Sequence, residues 1–222
     1  MKKGWILPLS VVLIFALFGC SQVEPMTPQM LPKQSLEIGN RSEPREKKEI
    51  HPNEPLIRPG QITKINGFGT FKLLYIAHPF EEIHLSPLKI DLDRVKIFKV
   101  TDITPPFRED LKTFGWKGNK TAYMVQIEYS IENSEDDTLR LEPAPFQSLV
   151  LSDGGQAIGR QIRSYADHRL EGKGKKNYQV IRFVLDRKPG NVRSVRLTTG
   201  KVYNLDAARW RSESQRVEIS MK

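Results

Sequence analysis

The stretch at residues 121–133, TAYMVQIEYSIEN, constrains this chain more than any other. Tyr123, Val125, Ile127, Tyr129 and Ile131 share one parity, and Gln126, Glu128, Ser130 and Glu132 share the other. Successive side chains of an extended backbone point to opposite faces, so this is the pattern of an antiparallel strand with one apolar and one polar face. The apolar members are β-branched or aromatic, which suits a pleated surface. Such a face must be covered by other strands, and the rest of the chain has to supply them.

It supplies several. Residues 61–65 lead into an Asn66-Gly67 turn signal, and in 68–76 Phe71, Leu73 and Tyr75 alternate with Thr70 and Lys72. A loop is expected at 78–87. In 88–100 Leu88, Ile90 and Leu92 have one parity and Val95 and Ile97 the other, so a bulge or bend is expected near Asp93 and Arg94. Pro105 and Pro106 precede Phe107, Leu111 and Phe114 at helical spacing, which predicts one short helix ended by Gly115. Further strands are expected at 139–141, at 146–151 before the Asp153-Gly154-Gly155 turn, at 178–186 after a long polar loop, and at 193–198. Thr199, Gly200 and Lys201 read as a hairpin turn into a strand at 202–205. About eight short strands with turns roughly every ten residues predict an all-β chain, an antiparallel β-sandwich with one short helix insert.

The two ends differ from this middle. Residues 1–19 combine Lys2 and Lys3 with an apolar run from Trp5 to Phe18, the pattern of an export signal. Leu17, Phe18, Gly19 and Cys20 resemble the lipobox of bacterial lipoproteins, with Phe18 bulkier than usual there. The resemblance implies a cleaved signal peptide and lipidation of Cys20, which becomes the new N-terminus; the alternative is an uncleaved signal anchor. Cys20 is the one cysteine of the 222 residues, so an exported chain has no internal disulfide to make. Ser21, rather than Asp, follows it, which in a Gram-negative cell implies an outer-membrane address. Residues 20–60 then carry seven of the 15 prolines and no aromatic residue, and six basic side chains balance six glutamates. This composition predicts an extended, Pro-rich flexible tether. The folded domain is expected at 61–210, with a C-terminal tail at 211–222.

The order of an alternating strand ending in Asn133, an acidic turn, a Pro-Phe strand, a turn at Asp153 and Gly154, and a late strand opened by the polar residues 172–177 resembles the secreted immunoglobulin-like β-sandwich domains of bacterial lipoproteins. The resemblance covers about residues 60–205 and brings no catalytic residues with it. The slipped strand and the helix insert depart from the pattern.

Candidates for chemistry are sparse. His78 and His84 flank Glu81 and Glu82, but their spacing does not place two ligands on one helical face, and a solvated loop is the expected reading over a metal site. Asp91 and Asp93 alternate with Ile90 and Leu92 as ordinary outward-facing partners of a strand. Ser164, Asp167 and His168 are close in sequence, whereas triads are assembled by the fold. There is no Gly-rich phosphate loop, no H-E-x-x-H and no G-x-S-x-G, so no enzyme, metal or cofactor is expected. The net charge of +9 has its carboxylates interspersed, which speaks against a nucleic-acid partner and for anionic surroundings. The most suggestive stretch is a long basic loop at 159–177, where Arg160, Arg163, Arg169, Lys173, Lys175 and Lys176 surround Tyr165. It is a candidate for contact with anionic polymer, lipid headgroups or an envelope protein. The expected function is therefore a lipid-anchored, extracytoplasmic binding module on the cell membrane. The alternative, capture of a small molecule or metal, requires an apolar pocket or converging ligands.

Overall fold

The 121–133 stretch forms β5 (Ala122–Asn133), and it lies inside a sheet rather than at its edge. The computed structural model describes residues 55–163, 169–174 and 176–221. Before β5 come β1 (Ile62–Ile65), β2 (Gly69–Ala77), β3 (Glu81–Leu85), β4 (Leu88–Thr101) and α1 (Pro105–Thr113). After it come β6 (Leu139–Leu151), β7 (Ala157–Arg163), β8 (Arg169–Leu170), β9 (Lys176–Leu185), β10 (Ser194–Asn204), β11 (Arg209–Trp210) and β12 (Arg216–Ser220).

These strands make an all-β sandwich of two antiparallel sheets. The seven-stranded sheet runs β1-β2-β4-β5-β9-β7, with β3 also beside β4, and the five-stranded sheet runs β11-β10-β6-β8, with β12 also beside β10. Their facing sides meet in one large core: Val95, Ile97, Val125, Ile127, Tyr129, Ile181 and Phe183 from the first sheet pack against Leu141, Phe146, Leu149, Val195, Leu197 and Ile219 from the second. Tyr129 and Phe146 meet edge to face across it at 5.3 Å.

The other side of the seven-stranded sheet holds a second apolar cluster. α1 covers part of that face with Phe107 and Leu111, which pack with Phe71, Leu73, Phe98, Val100, Met124 and Val184. Pro105 and Pro106 occupy the first helical positions, where a missing N–H costs nothing. The helix is thus what turns an outward face into a second interior.

The expected slip in β4 is present as a register shift between Leu92 and Arg94. Other expectations need correction. The strands expected at 139–141 and 146–151 are one strand, β6, and the strands at 193–198 and 202–205 are one strand, β10. The residues read as a hairpin, Thr199 to Lys201, run on within β10, and the irregularity opposite them is on β6, whose extra residues around Pro143 bulge out of the ladder. The 78–87 loop contains β3. The supposed C-terminal tail supplies β12, paired along β10 from Ser194 to Thr198. The folded part also begins before residue 61, since Leu56 is buried in the second cluster.

Candidate functional site

Register decides what the outer face of the seven-stranded sheet presents. In β4, β5 and β9 the residues facing away from the main core form cross-strand rows. Val100 stands opposite Ala122, and Phe98, Met124 and Val184 make the next row. The third row is Lys96, Gln126 and Arg182, and the fourth opposes Arg94 to Glu128 and Glu128 to Val180. The face is therefore apolar under α1 and charged beyond it.

A cavity of about 420 Å³ opens at this boundary, within the size range of sites that enclose small organic ligands. Its apolar wall is Leu56, Ile65, Phe68, Phe71, Phe98, Phe107 and Met124. Three of these rings interlock, with Phe71 6.0 Å from Phe98 and 6.4 Å from Phe107, and Phe68 reaches Phe107 at 5.0 Å while remaining 45% exposed at the rim. Pro55 and Leu56 line one side. Gln61 Oε1 holds this approach by accepting hydrogen bonds from Ile57 N at 2.7 Å and Arg58 N at 2.8 Å.

The polar wall is a connected network. Glu128 accepts from Arg94 Nε at 2.6 Å, from Lys96 Nζ at 2.7 Å and from Gln126 Nε2 at 2.8 Å. Arg182 Nε in turn donates to Gln126 Oε1 at 2.8 Å. Lys96 and Glu128 are both buried, which a charge tolerates only when paired. Arg182 is the exposed member; desolvation lowers its guanidinium pKa and Glu128 opposes that shift, and it stays a cation at physiological pH. Three cations and one carboxylate line the cavity, so its polar wall carries a net positive charge. Thr63 adds a buried hydroxyl, Oγ1, that has no hydrogen-bond partner.

A second, more open groove lies on the five-stranded sheet, between Arg140, Glu142, Gln147, Lys201, Tyr203 and Trp210. Its cations pair locally, Arg140 with Glu142 and Lys201 with Glu213, although Arg140 Nε is itself buried without a hydrogen-bond partner. It has neither the enclosure nor the charge excess of the first.

No family model matches the chain, and no curated protein matches it. Among solved structures, a functionally unknown protein from Listeria monocytogenes is similar at 17% identity and a TM-score of 0.45, over 68% of this chain and 87% of that one.

None of the described residues singled out from sequence as site candidates lines this cavity. The basic stretch at 159–177 is not one loop: Arg160 and Arg163 fall on β7, Arg169 on β8 and Lys176 on β9. Lys173 is exposed, and Arg169 pairs with Glu171 at 3.3 Å. Tyr165 and Lys175 lie outside the described residues, as do Cys20 and the Ser164, Asp167 and His168 set. His84 Nε2 stands 3.5 Å from Glu82 with both side chains exposed, and Lys89 takes Glu82 at 3.2 Å and Asp91 at 3.5 Å. No group of three or more potential metal ligands forms among the described residues.

Sequence reasoning missed Arg94, Lys96, Gln126, Glu128 and Arg182. Charges on the second parity of a strand read as solvent-facing, and only the strand order and register of β4, β5 and β9 bring these five together. The available signal was a carboxylate and three cations on strands otherwise rich in apolar residues.

Proposed function

We propose that this protein is a lipid-anchored, extracytoplasmic binding module without catalytic activity, and that it captures a small organic ligand in the cavity beside α1. The observation that carries this reading is the junction of an aromatic wall with a hydrogen-bonded ionic network, buried at Lys96 and Glu128, around one partly open cavity. Enclosed apolar space with a few convergent polar groups is the usual form of a ligand site. The anchor rests on the lipobox-like Leu17 to Cys20, and a Pro-rich tether between Cys20 and the folded domain sets its reach. Among the described residues no helix is long and apolar enough to cross a membrane.

The test is the unfolding midpoint of the protein with and without an organic extract of the producing cell's envelope. A ligand that binds the folded state raises the midpoint by mass action. Wild type is expected to shift, and the cavity-filling variants Met124→Trp and Ile65→Trp are expected not to. Equal shifts in all three place the ligand elsewhere.

A second reading is contact with an anionic layer or an acidic envelope protein through the basic residues of 159–177, favoured by the exposure of Arg169 and Lys173. It predicts envelope association that weakens as salt rises.

A further inference from the structure

We propose that the ligand of the cavity is an anionic amphiphile: a single compact anionic group, such as a carboxylate, on an aliphatic or aromatic body. This rests on the capture function proposed above and names its ligand class.

The cavity is lined by the cations Arg94, Lys96 and Arg182 against the single carboxylate Glu128. Glu128 engages Arg94 through Oε2 and Lys96 through Oε1, so its two oxygens are shared between two cations. An ammonium carries three donors, and Glu128 takes one of those on Lys96 Nζ. Arg182 spends its Nε on neutral Gln126. A net positive wall held beside apolar surface is costly in a medium of low dielectric, and an incoming anion removes that cost. Clefts lined by one sign of charge with apolar walls also concentrate the opposite ion.

Polarity across the site gives the ligand a direction. The charged rows lie on one side and the Phe98 and Met124 row on the other, so an anionic group set near Lys96 and Arg182 leaves its attached body over Phe71, Phe98, Phe107 and Met124. Thr63 Oγ1, buried and unpartnered on the β1 side, offers a further hydrogen bond within the same cavity. A buried hydroxyl without a partner is a debit in a folded protein, and a polar ligand atom supplies what it lacks. A purely hydrocarbon ligand leaves the net positive charge of the wall uncompensated and this hydroxyl without a partner. A fully polar anion leaves the aromatic wall wet.

Residues Arg45–Lys222 form a compact unit that contains every described strand and both apolar clusters, so this fragment serves for binding measurements free of the lipid anchor. Decanoate and decanol, which share a tail and differ in charge, are titrated into it by calorimetry. Decanoate is expected to bind about tenfold or more tightly than decanol, the scale of one hydrogen bond to a charged group. Lys96→Met is expected to erase that preference. Arg182→Gln, at an exposed position, is expected to reduce it, and it stands in if Lys96→Met fails to fold. Equal affinity for the two probes overturns the anionic class while the cavity reading stands. Binding of neither probe also overturns this class, and stabilisation by envelope extract that Ile65→Trp abolishes still upholds the cavity. A preference for decanoate that survives both Lys96→Met and Arg182→Gln places the anion elsewhere and overturns the proposal.

Discussion

Lys96 Nζ stands 2.7 Å from Glu128 Oε1 although the two residues are not opposite one another: Lys96 faces Gln126 across the β4–β5 pair, and Glu128 faces Arg94. The diagonal contact lets one buried carboxylate hold two cations, because Arg94 takes the other oxygen at 2.6 Å. It fixes the polar wall of the cavity without any loop.

Removing one partner of a buried ionic network leaves the others uncompensated. Glu128→Ala is therefore expected to lower unfolding free energy in urea by about 3–5 kcal/mol. The double variant Lys96→Met with Glu128→Leu replaces the pair by apolar groups and is expected to recover much of that loss. A Glu128→Ala cost below about 1 kcal/mol, the size of an exposed pair, is the contrary result.

Burial raises the pKa of the Tyr129 phenol, in the core between the sheets. For an acid raised on folding, stability is fully present below the unfolded pKa and is lost as pH climbs from there towards the folded value. The loss should begin near pH 10, the ordinary tyrosine value. Tyr129→Phe removes this contribution, so its urea midpoint is expected to fall less than that of wild type between pH 8 and pH 11. Parallel falls contradict the assignment.

Asp153 is the opposite case. Burial raises its pKa, but hydrogen bonds from the backbone N–H groups of Gly190 and Gly155, together with Arg187, outweigh burial and hold the carboxyl below its ordinary value. A depressed carboxyl contributes stability above about pH 4 that is lost as pH falls through its folded pKa. Asp153→Ala should lower the urea midpoint at pH 7, and the gap to wild type should narrow by pH 2.5. A gap independent of pH contradicts this.

The β6 bulge opposite Gly200 has its own test. A Cβ on Gly200 would run into the carbonyl oxygen of Ala144 and come within 2.9 Å of that of Glu142, both on β6. Gly200→Ala is expected to cost about 1–3 kcal/mol, the scale of overpacking, in the same urea assay. An unchanged midpoint shows that the backbone there yields.

How much of this was legible follows from range. β5 and the β4 slip were readable because a period of two, and its failure at Asp93, are local facts. α1 was readable from Phe107, Leu111 and the two prolines. Pro143 and Gly200 read as strand ends because both break a ladder locally, yet each sits opposite the other's irregularity and β6 and β10 continue past them. Leu56 was assigned to the tether because its neighbours are prolines and charges, and nothing local shows that it fills a cluster built by β2, β4 and α1. The cavity was least legible. Its charges come from β4, β5 and β9, and only strand order and a covering helix turn an apparently solvent-facing parity into an interior.

The most direct test of the capture function is native mass spectrometry of the full chain, extracted from its own envelope without denaturation, beside Ile65→Trp prepared in the same way. The account predicts a bound small organic anion on wild type that is missing from the variant. The same adduct on both proteins, or none on either, contradicts it.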